Sequence, residues 1–388
     1  MPRATIDVDG SLVRWARESA GLSVQAAAKK VSVKPAKFEL WETAGVPERP
    51  TATQLERLAD AVKRPVATFF LPEPPAEPPL PADFRKPPTA KAPAPLSYAA
   101  RLAIRRARRP QAVFVELRVD TGDRGPRIVV SRNKPAAEAA RAARELLGVS
   151  LEEQARWREA EVALKAWRSR LEELGLLVFQ LAMPKEEVSG FSLSDTAPAI
   201  VLNKKDHHAR RCFTLFHEWA HLLLGAPGLC FVEEGRAEGT DESVEVFCNA
   251  FAGSLLVPMD ALRRLDAQSA NRRSSLEEAV EEGVRRFAVS RYVILRRLLT
   301  GNIITAASYR RLAARWDRKR EEQGRKPSTK KKGGPAPHVK TVSELGPGFV
   351  SRILRAHDRG LVSDLEIADY FALKLRHLEK VEALVSRV

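Results

Sequence analysis

Between residues 10 and 70 the apolar positions recur at helical spacing. Leu12, Val13 and Ala16 line one face of a helix predicted over Ser11 to Ala20, which Gly21 closes. Ser23 caps a short helix running to Lys30, and Ser32-Val33 makes a turn. Pro35 suits the first turn of a third helix that carries Phe38 and Trp41 inward. Thr53 is expected to open a fourth helix bearing Leu55, Leu58 and Ala59, and a fifth short one holds Phe69, Phe70 and Leu71. Two short helices about a tight turn are the helix-turn-helix arrangement, whose second helix enters the major groove of DNA. Lys34, Lys37 and Glu39 lie on its polar side, with Lys29 and Lys30 placed to meet phosphate. A small bundle used for protein contact has the same pattern, and the near-neutral charge of residues 1–80 does not separate the two.

The pattern then breaks into a proline-rich linker from Pro72 to about Pro95. Arg101, Arg105, Arg106, Arg108 and Arg109 crowd the helix that follows; such a run tracks phosphates, or forms a solvated face or internal ion pairs. Helices are predicted over Ala136–Leu147 and Leu151–Glu173. Strand character appears at 176–181, 190–193 and 199–202, with Asn203 ending the third strand before a helix over roughly Ala209–Leu224. A small sheet beside that helix offers an edge to which an extended peptide can add. Residues 241–252 read as a further helix with Thr240 as its cap, ended near Pro258. A basic, glycine-containing linker with Arg325-Lys326 and Lys330–Lys332 precedes a last helical module at 349–354 and 365–384.

These signals predict a multidomain, mainly α chain with a small β-sheet (α+β). The expected divisions are a helix-turn-helix domain at 1–71, a linker at 72–96, a central domain at 97–318, a basic linker at 319–340 and a helical module at 341–388. The length of 388 residues accommodates this, and a formal net charge of +16 favours anionic partners. Cys212, Cys230 and Cys248 are odd in number and widely spaced, which argues against a disulfide scaffold or zinc ribbon. The first residues lack a signal peptide's apolar core, and no apolar stretch approaches 18 residues. A cytoplasmic protein without a membrane span is expected.

The chemistry concentrates in Phe213-Thr-Leu-Phe-His217-Glu218-Trp-Ala-His221. Histidines four residues apart on a helix stand one turn above each other, so both imidazoles can reach one metal. Glu218, next to the first, is placed to take a proton from a water there. An ordinary buried helix with two satisfied histidines is the plainer alternative. A catalytic zinc wants a third protein ligand. Glu245 adjoins the apolar stripe of Val244, Cys248, Phe251 and Leu255, where an unpaired carboxylate is costly. Glu238, Asp241 and Glu242 are rivals on spacing alone. His207 and His208 are candidate donors to a developing oxyanion, or exposed residues at the helix approach; Arg210 and Arg211 are candidates to orient carboxylates.

These residues resemble the ImmA/IrrE metallopeptidases, in the architecture that has an N-terminal Xre-type helix-turn-helix. The resemblance is carried by Gly21-Leu-Ser23 through Trp41-Glu42, Phe69-Phe-Leu-Pro72 with the proline linker, and Gly190-Phe-Ser192. Pro198-Ala-Ile-Val-Leu-Asn203, Phe213 through His221, Glu245-Val-Phe-Cys-Asn249-Ala-Phe-Ala252 and Leu255-Leu-Val-Pro258 complete it. It implies a gluzincin-like, thermolysin-related domain in which His217, His221 and Glu245 bind one Zn2+ per chain and Glu218 is the base. It further implies cleavage of a helix-turn-helix repressor in a stress or mobile-element response. Ala220 stands where the family commonly has glycine, Val24 where glutamine and Ser32 where glycine are frequent. The partners expected are double-stranded DNA, at Lys29, Lys30, Lys34 and Lys37, and a repressor or antitoxin-like substrate. A homodimer would suit two DNA half-sites, and the linker at 72–95 is open to self-cleavage. The alternative is a non-proteolytic transcription factor or antitoxin whose metal domain senses a ligand or binds a partner.

Overall fold

The computed structural model describes residues 4–43, 45–83, 96–121, 134–194, 197–225, 228–230, 242–271, 275–324 and 334–386. The chain divides into two compact units, residues 1–80 with 91–108 and residues 81–90 with 109–388.

In the first unit, α1 (Gly10–Ser19), α2 (Val24–Val31), α3 (Pro35–Trp41) and α4 (Ala52–Val62) are followed by a 3-10 turn at Val66–Phe70. Asp9 caps α1, accepting from the Ser11 N–H at 2.8 Å, and Ser23 caps α2, accepting from the Ala26 N–H at 3.1 Å. Helix α4 opens at Thr51 rather than at the expected Thr53. Thr51 and Gln54 form a reciprocal capping box, so Thr53 falls inside the first turn. Val13, Ala16, Ala27, Val31, Phe38, Trp41, Leu55, Leu58 and Phe69 make the core. The buried Glu42 accepts from Arg17 at 2.6 and 2.9 Å, pinning α3 to α1.

The division between units falls within α5 (Tyr98–Thr121). Four of the five arginines singled out in the sequence serve internal contacts, and Arg106 is exposed. Arg105 donates to the Val62 and Lys63 carbonyls at 2.9 and 3.0 Å, closing the end of α4. Arg101 reaches the Leu96 carbonyl at 3.2 Å and Arg108 the Pro78 carbonyl at 2.7 Å. Arg109 pairs with Asp369 within the second unit.

The second unit contains α6 (Ala136–Leu147), α7 (Leu151–Trp157) and α8 (Ala160–Glu173). The single helix expected over 151–173 is broken at Arg158, whose φ is 54°. The break turns Trp157 edge-on to Trp167, ring centroids 4.9 Å apart. The strands β1 (Ala82–Asp83), β2 (Leu177–Leu181), β3 (Gly190–Leu193), β4 (Ala199–Asn203) and β5 (Gly228–Cys230) form one mixed sheet in the order β1-β5-β3-β4-β2. β4 runs parallel to β2 and antiparallel to β3, which is antiparallel to β5; β1 adds to β5 in parallel. β2, β3 and β4 are buried along their whole lengths, as strands covered on both faces are.

After the sheet come α9 (His208–Leu223), α10 (Glu242–Leu256), α11 (Met259–Asn271), α12 (Leu276–Phe287), α13 (Arg291–Thr300) and α14 (Ala306–Gly324). α9 and α10 lie side by side in a core with Trp167, Phe216, Trp219, Phe251, Leu255 and Ile294. The last carbonyls of α10 have no partners within the helix. Side chains from three other helices supply them. Arg144 donates to Leu255 O at 3.0 Å, Gln154 to Leu256 O at 2.9 Å and Arg297 to Val257 O at 3.0 Å.

The C-terminal helices α15 (Pro337–Leu345), α16 (Pro347–Asp358), α17 (Asp364–Tyr370) and α18 (Leu378–Val385) belong to this unit, with α15 against β2. They begin earlier than the expected start at 349, since Pro337 and Pro347 each open a helix. The basic run at 325–333, and Thr240 as a cap, lie outside the described residues. Among the described residues no single helix is long and apolar enough to cross a membrane.

Candidate metal centre

Helix α9 buries His217, Glu218 and His221 completely, in a run whose every residue from Thr214 to His221 is buried. Glu245 on α10 is 2% exposed. His217 Nε2 and His221 Nε2 lie 3.1 Å apart; Glu245 places Oε2 3.4 Å from the first and Oε1 3.1 Å from the second. Three ligands each about 2.0–2.1 Å from a tetrahedral zinc would stand roughly 3.3–3.4 Å from one another. The spacing is therefore that of a triad closed around one small cation. Among the described residues, this is the one cluster of three metal-ligating side chains.

Burial alone would push the Glu245 carboxyl up. Hydrogen bonds and charge from His217 and His221 outweigh it and hold the group well below the usual carboxylate range. Glu245 is thus an anion at neutral pH, the form a metal requires.

Asn249, one turn after Glu245, brings Oδ1 to 3.1 Å from His217 Nδ1. If Nδ1 carries the proton, Nε2 is left as the lone-pair nitrogen toward the triad. From the sequence alone Asn249 has no assigned role. The signal was its four-residue spacing from Glu245, which puts both side chains on the α10 face turned toward α9.

Strand β3 closes the site from the sheet side. A Cβ on Gly190 would lie 2.5 Å from Thr214 Cγ2, 2.9 Å from Val201 O and 3.6 Å from Glu218 Cγ. Only glycine lets β3 come this near the helix. Ala220 is fully buried, so the methyl group at that position is accommodated in the core.

The other candidates lie elsewhere. His207 precedes α9 and His208 begins it, so His208 stands about 13 Å along the axis from His217. Neither histidine is at the triad. Arg210 lies 3.6 Å from Asp206, and Arg211 donates to Gln180, so neither orients a carboxylate of the triad in these contacts. Glu242 opens α10, while Glu238 and Asp241 lie outside the described residues. Cys212 and Cys248 are buried and neither belongs to the three-ligand cluster. On the first unit, Lys29, Lys30, Lys34 and Lys37 are all exposed. Lys30 stands 5.3 Å from the centre of the Tyr98 ring, and Lys37 pairs with Glu48 at 2.7 Å.

Residues 171–299, spanning β2–β4 and α9–α13, match the IrrE N-terminal-like domain of a peptidase family. Residues 10–68 match a helix-turn-helix domain. This chain joins a helix-turn-helix to an ImmA/IrrE-like domain. No curated protein matches it. The ImmA/IrrE-like match brackets both metal-site helices. The helix-turn-helix match supports DNA binding in general, and the expected mainly α architecture with a small sheet is the one observed.

Proposed function

We propose that the chain is a zinc-dependent endopeptidase and DNA-binding regulator that cleaves a repressor or antitoxin-like protein. The observation that carries this reading is a buried His217–His221–Glu245 triad at zinc-ligand spacing, with the equally buried Glu218 next to His217 on α9. The donor set fits zinc: two imidazole nitrogens and one carboxylate, which leaves a fourth position for chemistry. His217, His221 and Glu245 would hold the ion, which when bound polarises a carbonyl and makes water acidic enough to attack it near neutral pH.

Glu218 performs the proton work. It receives the proton of the attacking water and passes it to the departing amine. Asn249 fixes the His217 ring from behind. Gly190 keeps β3 against α9. Lys29, Lys30, Lys34 and Lys37 are assigned to DNA, Lys34 and Lys37 at the start and middle of α3, Lys29 and Lys30 at the end of α2. Coupling a peptidase to a DNA-binding domain suits a regulator acting on a repressor in a stress or mobile-element response.

Zinc content of the purified chain, measured by elemental mass spectrometry, tests the reading together with cleavage of candidate repressors. The expected result is about one zinc per chain, lost in His217→Ala and Glu245→Ala. Glu218→Gln should keep the zinc and lower turnover by about 10²–10⁴-fold. Folded protein that takes up no zinc when supplied with it overturns the peptidase and leaves the non-proteolytic regulator.

A further inference from the structure

We propose that the outward face of α14 is a phosphate-contacting surface for duplex DNA, carried by the second unit in addition to the helix-turn-helix. The charge is distributed unevenly along the chain. Residues 1–80, which include the helix-turn-helix, contain eleven basic and ten acidic residues and so supply little net attraction. Residues 291–324 contain nine basic and three acidic residues.

On α14 the inward side is Leu312 and Trp316, with Tyr309 and Ala313 half-buried. Arg310, Arg311 and Arg318 are exposed on the other side, among the small exposed residues Ala307 and Ala314. Neighbouring acids are engaged elsewhere. Asp317 accepts from Tyr292 Oη at 2.5 Å, and Glu277 takes Arg315 at 2.8 Å and the Trp316 indole at 3.3 Å. Glu281 pairs with Arg291 on α13. Glu322 is exposed near the end of the helix. Among the described residues Arg310, Arg311, Arg318 and Lys319 form no ion pair; Arg310 makes only a 3.4 Å contact to the Ala306 carbonyl of its own helix.

Helix α5 shows what structural arginines look like in this protein: Arg101, Arg105 and Arg108 each end on backbone carbonyls. On α14, among the described residues, Arg311 and Arg318 have no such carbonyl partner, and Arg310 has only the long contact within its own helix. Like charges gathered on one helix face repel, and an external polyanion relieves that repulsion. Arg311 and Arg318 are about 10 Å apart along a straight face. Guanidinium forks suit phosphate oxygens, and duplex DNA presents a charge about every 1.7 Å of axis. The helix-turn-helix match makes duplex DNA the polyanion this chain meets.

The test uses the full chain and a labelled 30-base-pair duplex of arbitrary sequence, followed by fluorescence anisotropy across salt concentrations. Replacing Arg310, Arg311 and Arg318 together by Gln should shrink the slope of log affinity against log salt by about 2.7, three phosphate contacts at ~0.9 each. The triple Lys version should restore most of that slope. Lys34→Gln with Lys37→Gln, in the helix-turn-helix, should give a separate and additive loss, so failure at either surface is told apart. Unchanged zinc content and circular dichroism show that the variants fold. An unchanged slope in the triple Gln variant, or tighter binding to an RNA hairpin than to the duplex, overturns the proposal. The outcome is independent of whether the metal centre cleaves peptides.

Discussion

At the scale of single residues, the site depends on how few choices its neighbours leave it. His217 meets Glu245 through Nε2 and Asn249 through Nδ1, so the ring is held from both sides. Removing the amide frees the ring to rotate and to exchange tautomers. Asn249→Ala is therefore expected to weaken zinc binding about 10–100-fold while leaving the fold intact. Competition with a chromogenic chelator measures this; an unchanged affinity would show that packing alone orients His217. Cys212, five residues before His217, has a different fate. Burial pushes its thiol up to about 12 from an ordinary 9.0, with Arg211 pulling weakly the other way. The raised folded value means that the unfolded chain loses this proton first. The stability Cys212 contributes is thus intact below about pH 9 and falls as pH rises toward 12. At pH 8 a thiol reagent should modify Cys212 only as fast as the protein opens, and the alkaline loss of stability should be smaller in Cys212→Ala. Rapid modification of folded protein would contradict this burial.

Elements were legible wherever a local signal decided them. The periodicity of α1–α3, the cap Ser23, and the apolar run of α9 all act within one or two turns, and sequence alone located those helices. The break at Arg158 has no glycine or proline to announce it. It arises because Trp157 packs on Trp167, a contact made only in the folded core. The triad was legible for the two histidines, which share a helix, while Glu245 remained one of several carboxylates until the family resemblance or the folded geometry singled it out. Asn249, and the trio Arg144, Gln154 and Arg297 that receives the end of α10, were hidden because their partners are distant in sequence. Ser32 shows a local rule broken at small cost. It closes α2 at φ 60°, a left-handed conformation that suits glycine. Its side chain is exposed, so replacing it by glycine removes strain without opening a cavity. Ser32→Gly should stabilise the protein by about 1 kcal/mol, since relief of the left-handed strain exceeds the entropy glycine adds to the unfolded chain. Thermal or denaturant unfolding followed by a first-unit probe such as Trp41 would read it, and a lowered midpoint would contradict the strain argument.

For the molecule as a whole, the telling feature is how the C-terminal helices are fastened to the rest of the second unit. Arg168 and Glu172, both buried on α8, pair at 2.7 Å. Arg168 also donates to the Ser343 carbonyl at 2.8 Å, and Glu172 accepts from the Gly348 N–H at 2.8 Å. The turn between α15 and α16 fits over this pair because Gly346 has φ 93° and no Cβ; one placed there would fall 2.2 Å from Glu172 Oε1. Phe349 then stands edge-on to Phe179 of β2, and Gln180 on the same strand both donates to Ser343 O at 3.2 Å and accepts from Arg211 of α9. A chain of contacts thus runs from the metal-site helix through β2 to the last helices. Burial nevertheless pushes the Glu172 carboxyl up, with Arg168 and the Gly348 N–H only partly offsetting it. The pair is therefore costly to assemble, and more costly to break than to keep, because one charge left alone in the core has no water to turn to. Glu172→Ala should destabilise the protein by about 3–5 kcal/mol. Hydrogen exchange should quicken first in residues 341–358, ahead of α9 and α10, whose own contacts do not involve Glu172. Glu172→Gln, which keeps an acceptor for the Gly348 N–H, should lose less. Exchange that quickens uniformly across the second unit would mean that the C-terminal helices have no separable hold on it.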